Sequence, residues 1–124
     1  MTDNSTYKKL VAELKRLHYL NSSLSLLGWD EQVNLPKGSA ERRAQQSAVL
    51  ADLVHREFTQ PQIGEWLDNL ESLTNELSDQ ELTILKEVRR NYDRAVKLPA
   101  EYVARKTALD SQAYHAWADA RAKN

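Results

Sequence analysis

Residues 24–46, Leu-Ser-Leu-Leu-Gly-Trp-Asp-Glu-Gln-Val-Asn-Leu-Pro-Lys-Gly-Ser-Ala-Glu-Arg-Arg-Ala-Gln-Gln, crowd Gly28, Trp29, Pro36 and Gly38 between two stretches of helical periodicity. A connection so rich in turn residues fixes where the chain reverses, and so how the first two apolar patterns meet. Gly28 directly follows Leu24, Leu26 and Leu27 and reads as a helix stop, because that position often needs a positive φ that glycine adopts without a Cβ penalty. Pro36 biases Leu35 toward extended backbone, and Gly38-Ser39 supplies a turn and then an N-cap. The expected order is helix, compact loop over 28–38, helix.

The remaining pattern is also helical. Tyr7, Leu10, Val11, Leu14, Leu17, Leu24 and Leu27 form one stripe, with Asn21 on it, and predict a first helix over 5–27. Its second half adds Tyr19, Leu20 and Leu26 and is expected to be the more deeply buried half, where Asn21 would need partners for its amide. Ala40, Ala44, Ala48, Ala51, Val54 and Phe58 predict a second helix over 39–58, whose small side chains invite a close partner. Thr59-Gln60-Pro61 ends it and starts a third over 61–71, since proline suits the first helical position. Gly64 weakens that helix by about 1 kcal/mol relative to alanine, which makes it depend on packing of Trp66. Ser78-Asp79-Gln80-Glu81 is a capping box flanked by Leu77 and Leu82, opening a fourth helix over 79–97. Leu98-Pro99 breaks the chain once more, and Tyr102, Val103, Leu109, Ala113, Trp117 and Ala120 predict a fifth helix over 99–122. Helical periodicity persists to the last residues with no stop signal, so the sequence reads as one that continues.

Three glycines, three prolines and abundant Leu, Ala, Glu, Lys, Arg and Gln in 124 residues fit a single all-α domain or fragment over 1–124, with about five mainly antiparallel helices joined by short connections. Seventeen basic and eighteen acidic side chains are interspersed, leaving a charge of −1 that offers nucleic acid no basic footprint. The absence of cysteine excludes disulfides and thiolate metal sites and fits a cytoplasmic setting. No stretch approaches the ~18 apolar residues of a membrane span, so no membrane partner is expected.

The residues alone give no catalytic, cofactor-binding or metal-binding candidate. His18, His55 and His115 lie far apart, and none has a second ligand at the i+4 spacing of a helical zinc site. His55-x-Glu57 is weak, and a half-exposed helix histidine explains it better. Asp30 and Glu31 are adjacent carboxylates, but acid–base chemistry needs groups that converge on one reacting atom; caps or partners of Arg42 or Arg43 are the simpler roles. The tryptophans and tyrosines fall mostly on helical stripes and are expected in the core, with Trp29 the exception.

At Trp29-Asp30, Leu35-Pro36, Gly38, Arg43 and Gln46 the chain resembles the N-terminal region of the thermostable carboxypeptidases, the carboxypeptidase Taq-type metallopeptidases. The opening Tyr-Lys-Lys-Leu-x-x-Glu-Leu and the closing Arg90-Asn91-Tyr92-Asp93-Arg94, Leu98-Pro99 and Ala116-Trp117-Ala118-Asp119-Ala120-Arg121 are similar to the same family segment, so essentially the whole chain is covered. Leu35-Pro36 replaces the family's common Met-Pro, and Gly38-Ser39 its Gly-Gly.

The resemblance implies part of a cytoplasmic, homo-oligomeric enzyme that removes C-terminal amino acids from peptides with zinc or another divalent metal. The family's His-Glu-x-x-His signature, its further glutamate ligand and its substrate-carboxylate residues are not found in these 124 residues, so none is assigned here. The chain is then expected to form a wall or lid of the substrate groove and to bind no metal by itself. A further portion of such an enzyme would cover part of Tyr19, Leu20, Leu24, Leu26, Trp29 and the Trp117 face, so the chain alone is expected to expose apolar surface and self-associate. A freestanding helical module that docks a partner through an amphipathic face is the alternative, decided by whether the reading frame continues past Asn124.

Overall fold

The computed structural model describes residues 4–124. Helix is the only regular structure among them: α1 (Ser5–Val33), α2 (Ala40–Phe58), α3 (Pro61–Glu71), α4 (Asp79–Val96) and α5 (Ala100–Ala122), with 3-10 turns at Lys37–Ser39 and Thr74–Glu76. The all-α class and the five-helix order agree with the sequence reading. Side-chain pairings give the directions. Asp30 meets Arg43 and Arg16 meets Glu57, so α1 and α2 are antiparallel. Glu71 reaches Arg89 while Tyr92 reaches the Gln60 carbonyl before α3, so α3 and α4 are antiparallel as well. His55 Nε2–H donates to the Leu98 carbonyl while Lys37 pairs with Asp119, so α5 runs back along α2 and therefore parallel to α1.

Gly28 does not stop the first helix. No glycine among the described residues has a positive φ, and α1 continues five residues beyond it before the Asn34 and Leu35 amides both bond the Asp30 carbonyl, at 2.8 and 3.1 Å. The loop expected over 28–38 shrinks to residues 34–36 and a 3-10 turn, with Pro36 extended at φ −62°, ψ 143°. A glycine inside a helix costs only about 1 kcal/mol, and the turn it precedes carries Asp30 and Glu31, whose pairings with α2 and α5 offset that. Ser39 occupies the position before α2 without a side-chain capping bond.

The core lies under the first half of α1, against α3 and α4: Leu10, Leu17, Ile63, Leu67, Leu70, Leu77, Leu85 and Tyr92 are buried together. This reverses the expectation for α1. Leu10 and Leu17 are 1% and 5% exposed, whereas Tyr19, Leu26 and Trp29 in the second half are 67%, 65% and 58% exposed. The reason is lateral: α3 and α4 cover only the first half, and the second is flanked by α2 and α5 with its outer face open. Asn21 is exposed, so its amide needs no protein partner. α3 rests on Ile63, Leu67 and Leu70, each fully enclosed, more than on the half-buried Trp66. α4 begins with the expected capping box, Ser78 N–H donating to Glu81 Oε2 at 2.8 Å and Glu81 N–H to Ser78 Oγ at 3.2 Å.

α5 has the expected period but not the expected phase. Tyr102, Leu109 and Trp117 are 51%, 52% and 56% exposed, and the face turned inward is Val103, Ala104, Thr107, Ala108 and the buried Ser111. The partner face of α2 is the small stripe Ala44, Ser47, Ala48 and Ala51, all buried. Two faces of small side chains bring helix axes close, and bulky residues are turned outward to allow it. Tyr19, Tyr102 and Trp117 are therefore not the core aromatics that their spacing indicated. No helix among the described residues is long and apolar enough to cross a membrane.

Candidate functional site

The second half of α1, the start of α2 and the second half of α5 converge around three pairings. Arg43, its side chain 13% exposed, donates Nη1 to Asp30 Oδ2 at 2.8 Å and to the Leu27 carbonyl at 3.0 Å, and Nε to Gln46 Oε1 at 3.2 Å. Asp30 thus takes the Arg43 partner that the sequence offered it. Glu31 does not. Its side chain, 9% exposed, accepts hydrogen bonds at Oε1 from the Ser111 hydroxyl and from His115 Nε2 at 2.8 Å. Lys37 and Asp119 form a third, solvent-exposed pair at 3.4 Å.

Glu31, Ser111 and His115 contain the residue types of a nucleophilic triad without its geometry. A triad needs the serine hydroxyl on one imidazole nitrogen and the carboxylate on the other; here hydroxyl and imidazole both end on one carboxylate oxygen. The arrangement locks α5 to α1. Sequence reasoning missed it because 80 and 84 residues separate the partners, and the one local signal was Ser111 and His115 four apart on a helix face.

Where α1, α2 and α5 meet runs a trough in two parts that share Leu24 and Thr107. The larger, about 480 Å³, is walled by Leu17, His18, Val54, Phe58 and Val103 among others. The smaller, about 240 Å³, is bounded by Gly28, Glu31, Ser47, Ser111 and Tyr114, so that carboxylate and hydroxyl groups interrupt a mainly apolar surface. His18 and His55 edge the larger part without approaching a common point: His18 lies beside its own Ser22, and His55 is held by the Leu98 carbonyl at 2.8 Å.

No three His, Asp or Glu side chains among the described residues cluster as a metal shell would. A catalytic zinc takes three protein ligands, and the Glu31–His115 pair already directs its donors at one another, so these residues do not fit a metallopeptidase ion. Lys106 is raised by its hydrogen bond to the lining Asp110, and other perturbed titrations lie away from the trough. Hydrogen bonding to Arg16 holds the Glu13 carboxyl below its usual range, burial pushes the Tyr7 phenol up with Glu81 adding to it, and the Arg89 guanidinium is raised by its bond to Glu71.

Comparison with known proteins places this geometry. The chain is 34% identical to "Thermostable carboxypeptidase 1" of Thermus thermophilus over all of its own length and 25% of that protein's. It is 29% identical to "Thermostable carboxypeptidase 1" of Pyrococcus furiosus and 26% identical to "Carboxypeptidase 1" of Bacillus subtilis, over 98% and 96% of this chain and 24% of each relative. The solved structure described as "BsuCP Crystal Structure" superposes with a TM-score of 0.91 over 97% of this chain and 24% of that one; at 24% identity it establishes the shared fold. The chain spans about a quarter of the length of these curated relatives. With the profile of carboxypeptidase Taq (M32) metallopeptidases matching residues 9–124, the chain belongs to that family.

Proposed function

We propose that these helices form one wall, or a lid, of the substrate groove in a metal-dependent carboxypeptidase that removes C-terminal amino acids from peptides, and that the metal centre lies outside the residues present here. The observation that carries this is the family match over residues 9–124 in a chain a quarter the length of its carboxypeptidase relatives. The donor chemistry supports it: a divalent metal activates water and polarises the scissile carbonyl when bound, and the described residues offer it no three-ligand shell. What this chain contributes is shape, namely a rigid α1–α2–α5 face with an apolar trough and exposed aromatic residues beside it. A homo-oligomeric, cytoplasmic enzyme with zinc as its metal is the form in which we expect the activity.

The test is metal analysis after dialysis together with a carboxypeptidase assay, on the 124-residue chain and on a complete enzyme of the family carrying this chain as its N-terminal region. The chain alone is expected to hold no stoichiometric metal and to release no amino acids, and the complete enzyme to do both. Tight one-to-one zinc with hydrolysis by the 124 residues would overturn the assignment.

A further inference from the structure

Gly28 sits in the interior of a long helix with no reason of its own to be glycine. Its φ is negative, and a Cβ built on it meets nothing within 4 Å, so neither backbone strain nor close packing inside this chain requires it. It forms bare floor in the smaller part of the trough, beside Glu31 and Ser47. A glycine that no neighbour in the chain explains marks a place where another group approaches the backbone.

The polar atoms around that floor are unfinished in the same direction. Glu31 spends Oε1 on Ser111 and His115, and no described residue bonds its Oε2. Ser47 is 5% exposed, and its hydroxyl likewise has no hydrogen-bond partner among the described residues. Among the described residues no fully enclosed polar side-chain atom lacks a partner, so these two atoms open onto the cleft. A carboxylate oxygen is an acceptor only. A ligand group that meets Glu31 Oε2 there must therefore be a donor. Neither part of the trough is lined by lysine or arginine; Lys106, the cation paired with the lining Asp110 at 2.7 Å, lines a separate depression with Tyr102, Arg105 and Leu109. Where the smaller part ends at Leu24 and Thr107, the larger part begins.

We infer that this trough binds an organic ammonium ion, its protonated amine over Gly28 against Glu31 Oε2 and Ser47 Oγ and its hydrocarbon body in the larger part along Leu17, Val54 and Phe58. The trough is the one counted in the proposed groove wall, but its binding of an ammonium ion does not rest on that reading, since it uses no metal and no catalytic group.

The probe is n-hexylammonium chloride, with sodium hexanoate and n-hexanol as charge-reversed and neutral controls of equal length, titrated into the protein while backbone amide NMR shifts are followed. Hexylammonium is expected to give saturable shifts at Gly28, Glu31, Ser47 and Ser111, with affinity at least tenfold above either control. Glu31→Gln should weaken binding at least fivefold. Because that change could also loosen α5, Gly28→Leu provides the second arm: the space above residue 28 is open, so the helix accepts the side chain, the floor is filled, and binding should fall at least tenfold with the circular dichroism spectrum unchanged. Equal binding of hexanoate or hexanol, absence of saturable shifts with hexylammonium, or full binding by a folded Gly28→Leu variant would each overturn the inference.

Discussion

Gly64 shows how one residue can be read correctly for cost and wrongly for purpose. Its helix-weakening effect is legible in the sequence; that a Cβ there would lie 2.8 Å from the Tyr92 hydroxyl and 3.2 Å from the ring carbon bearing it is not. Tyr92 is buried, packs edge-on to Phe58 and donates to the Gln60 carbonyl at 3.4 Å, so its ring has little room to retreat. Gly64→Ala gains about 1 kcal/mol of helix propensity and incurs about 1–3 kcal/mol of overpacking. We expect a net loss of stability in urea melts, and a smaller loss in a Tyr92→Phe background, with a coupling of at least about 0.5 kcal/mol between the two sites. Glu13 supplies a pH-dependent counterpart. Its carboxyl is lowered chiefly by the hydrogen bond from Arg16, with Gln60 adding a weaker one and burial opposing both. Arg16 also binds Glu57. A carboxyl lowered in the folded state stabilises the fold above its ordinary range, and that contribution disappears as pH falls through the folded value. Glu13→Gln should therefore lower Tm near neutral pH, and the difference from the parent should close as pH falls below the ordinary carboxylate range; a gap that widened on acidification would contradict the pairing.

Among the elements, α4 was legible to within a residue because its capping box is a local device, two hydrogen bonds made inside four residues. α1 was misjudged at Gly28 because helix termination there was inferred from a residue that permits a stop without requiring one. The continuation past it is held by Arg43, thirteen and sixteen residues distant in sequence from Asp30 and Leu27. That reasoning makes Gly28→Ala a stabilising change: the site is helical, the space is open, and the gain should approach about 1 kcal/mol, read as a higher denaturation midpoint with an unchanged denaturant slope. A loss of stability would show that the backbone there is not helical in solution. α5 was misjudged in phase. Its large apolar residues advertised a buried stripe, but the inward face was chosen by α2, whose alanines and Ser47 leave room only for Ala104, Thr107, Ala108 and Ser111.

For the molecule as a whole, the consequence of that phase and of the open second half of α1 is surface. Tyr19, Leu26, Trp29, Val33, Tyr102, Leu109 and Trp117 are each more than half exposed, and covering even 400 Å² of such surface is worth on the order of 10 kcal/mol at ~25 cal/mol per Å². We expect self-association of the isolated chain in a light-scattering concentration series, reduced by Trp29→Lys or Trp117→Lys; a strict monomer at high concentration would count against it. The sequence by itself determined the helical class, the order and number of the helices, the breaks at Pro36, Pro61 and Pro99, the α4 cap and the family, because each rests on spacing or local chemistry carried within a few residues. It offered Arg43 as a partner of Asp30 by proximity in chain order. Only the tertiary structure decided which half of α1 is buried, which face of α5 turns inward, and that Glu31 meets Ser111 and His115. Those outcomes depend on how closely two helices can approach, a property of both surfaces at once that no single stretch of sequence contains.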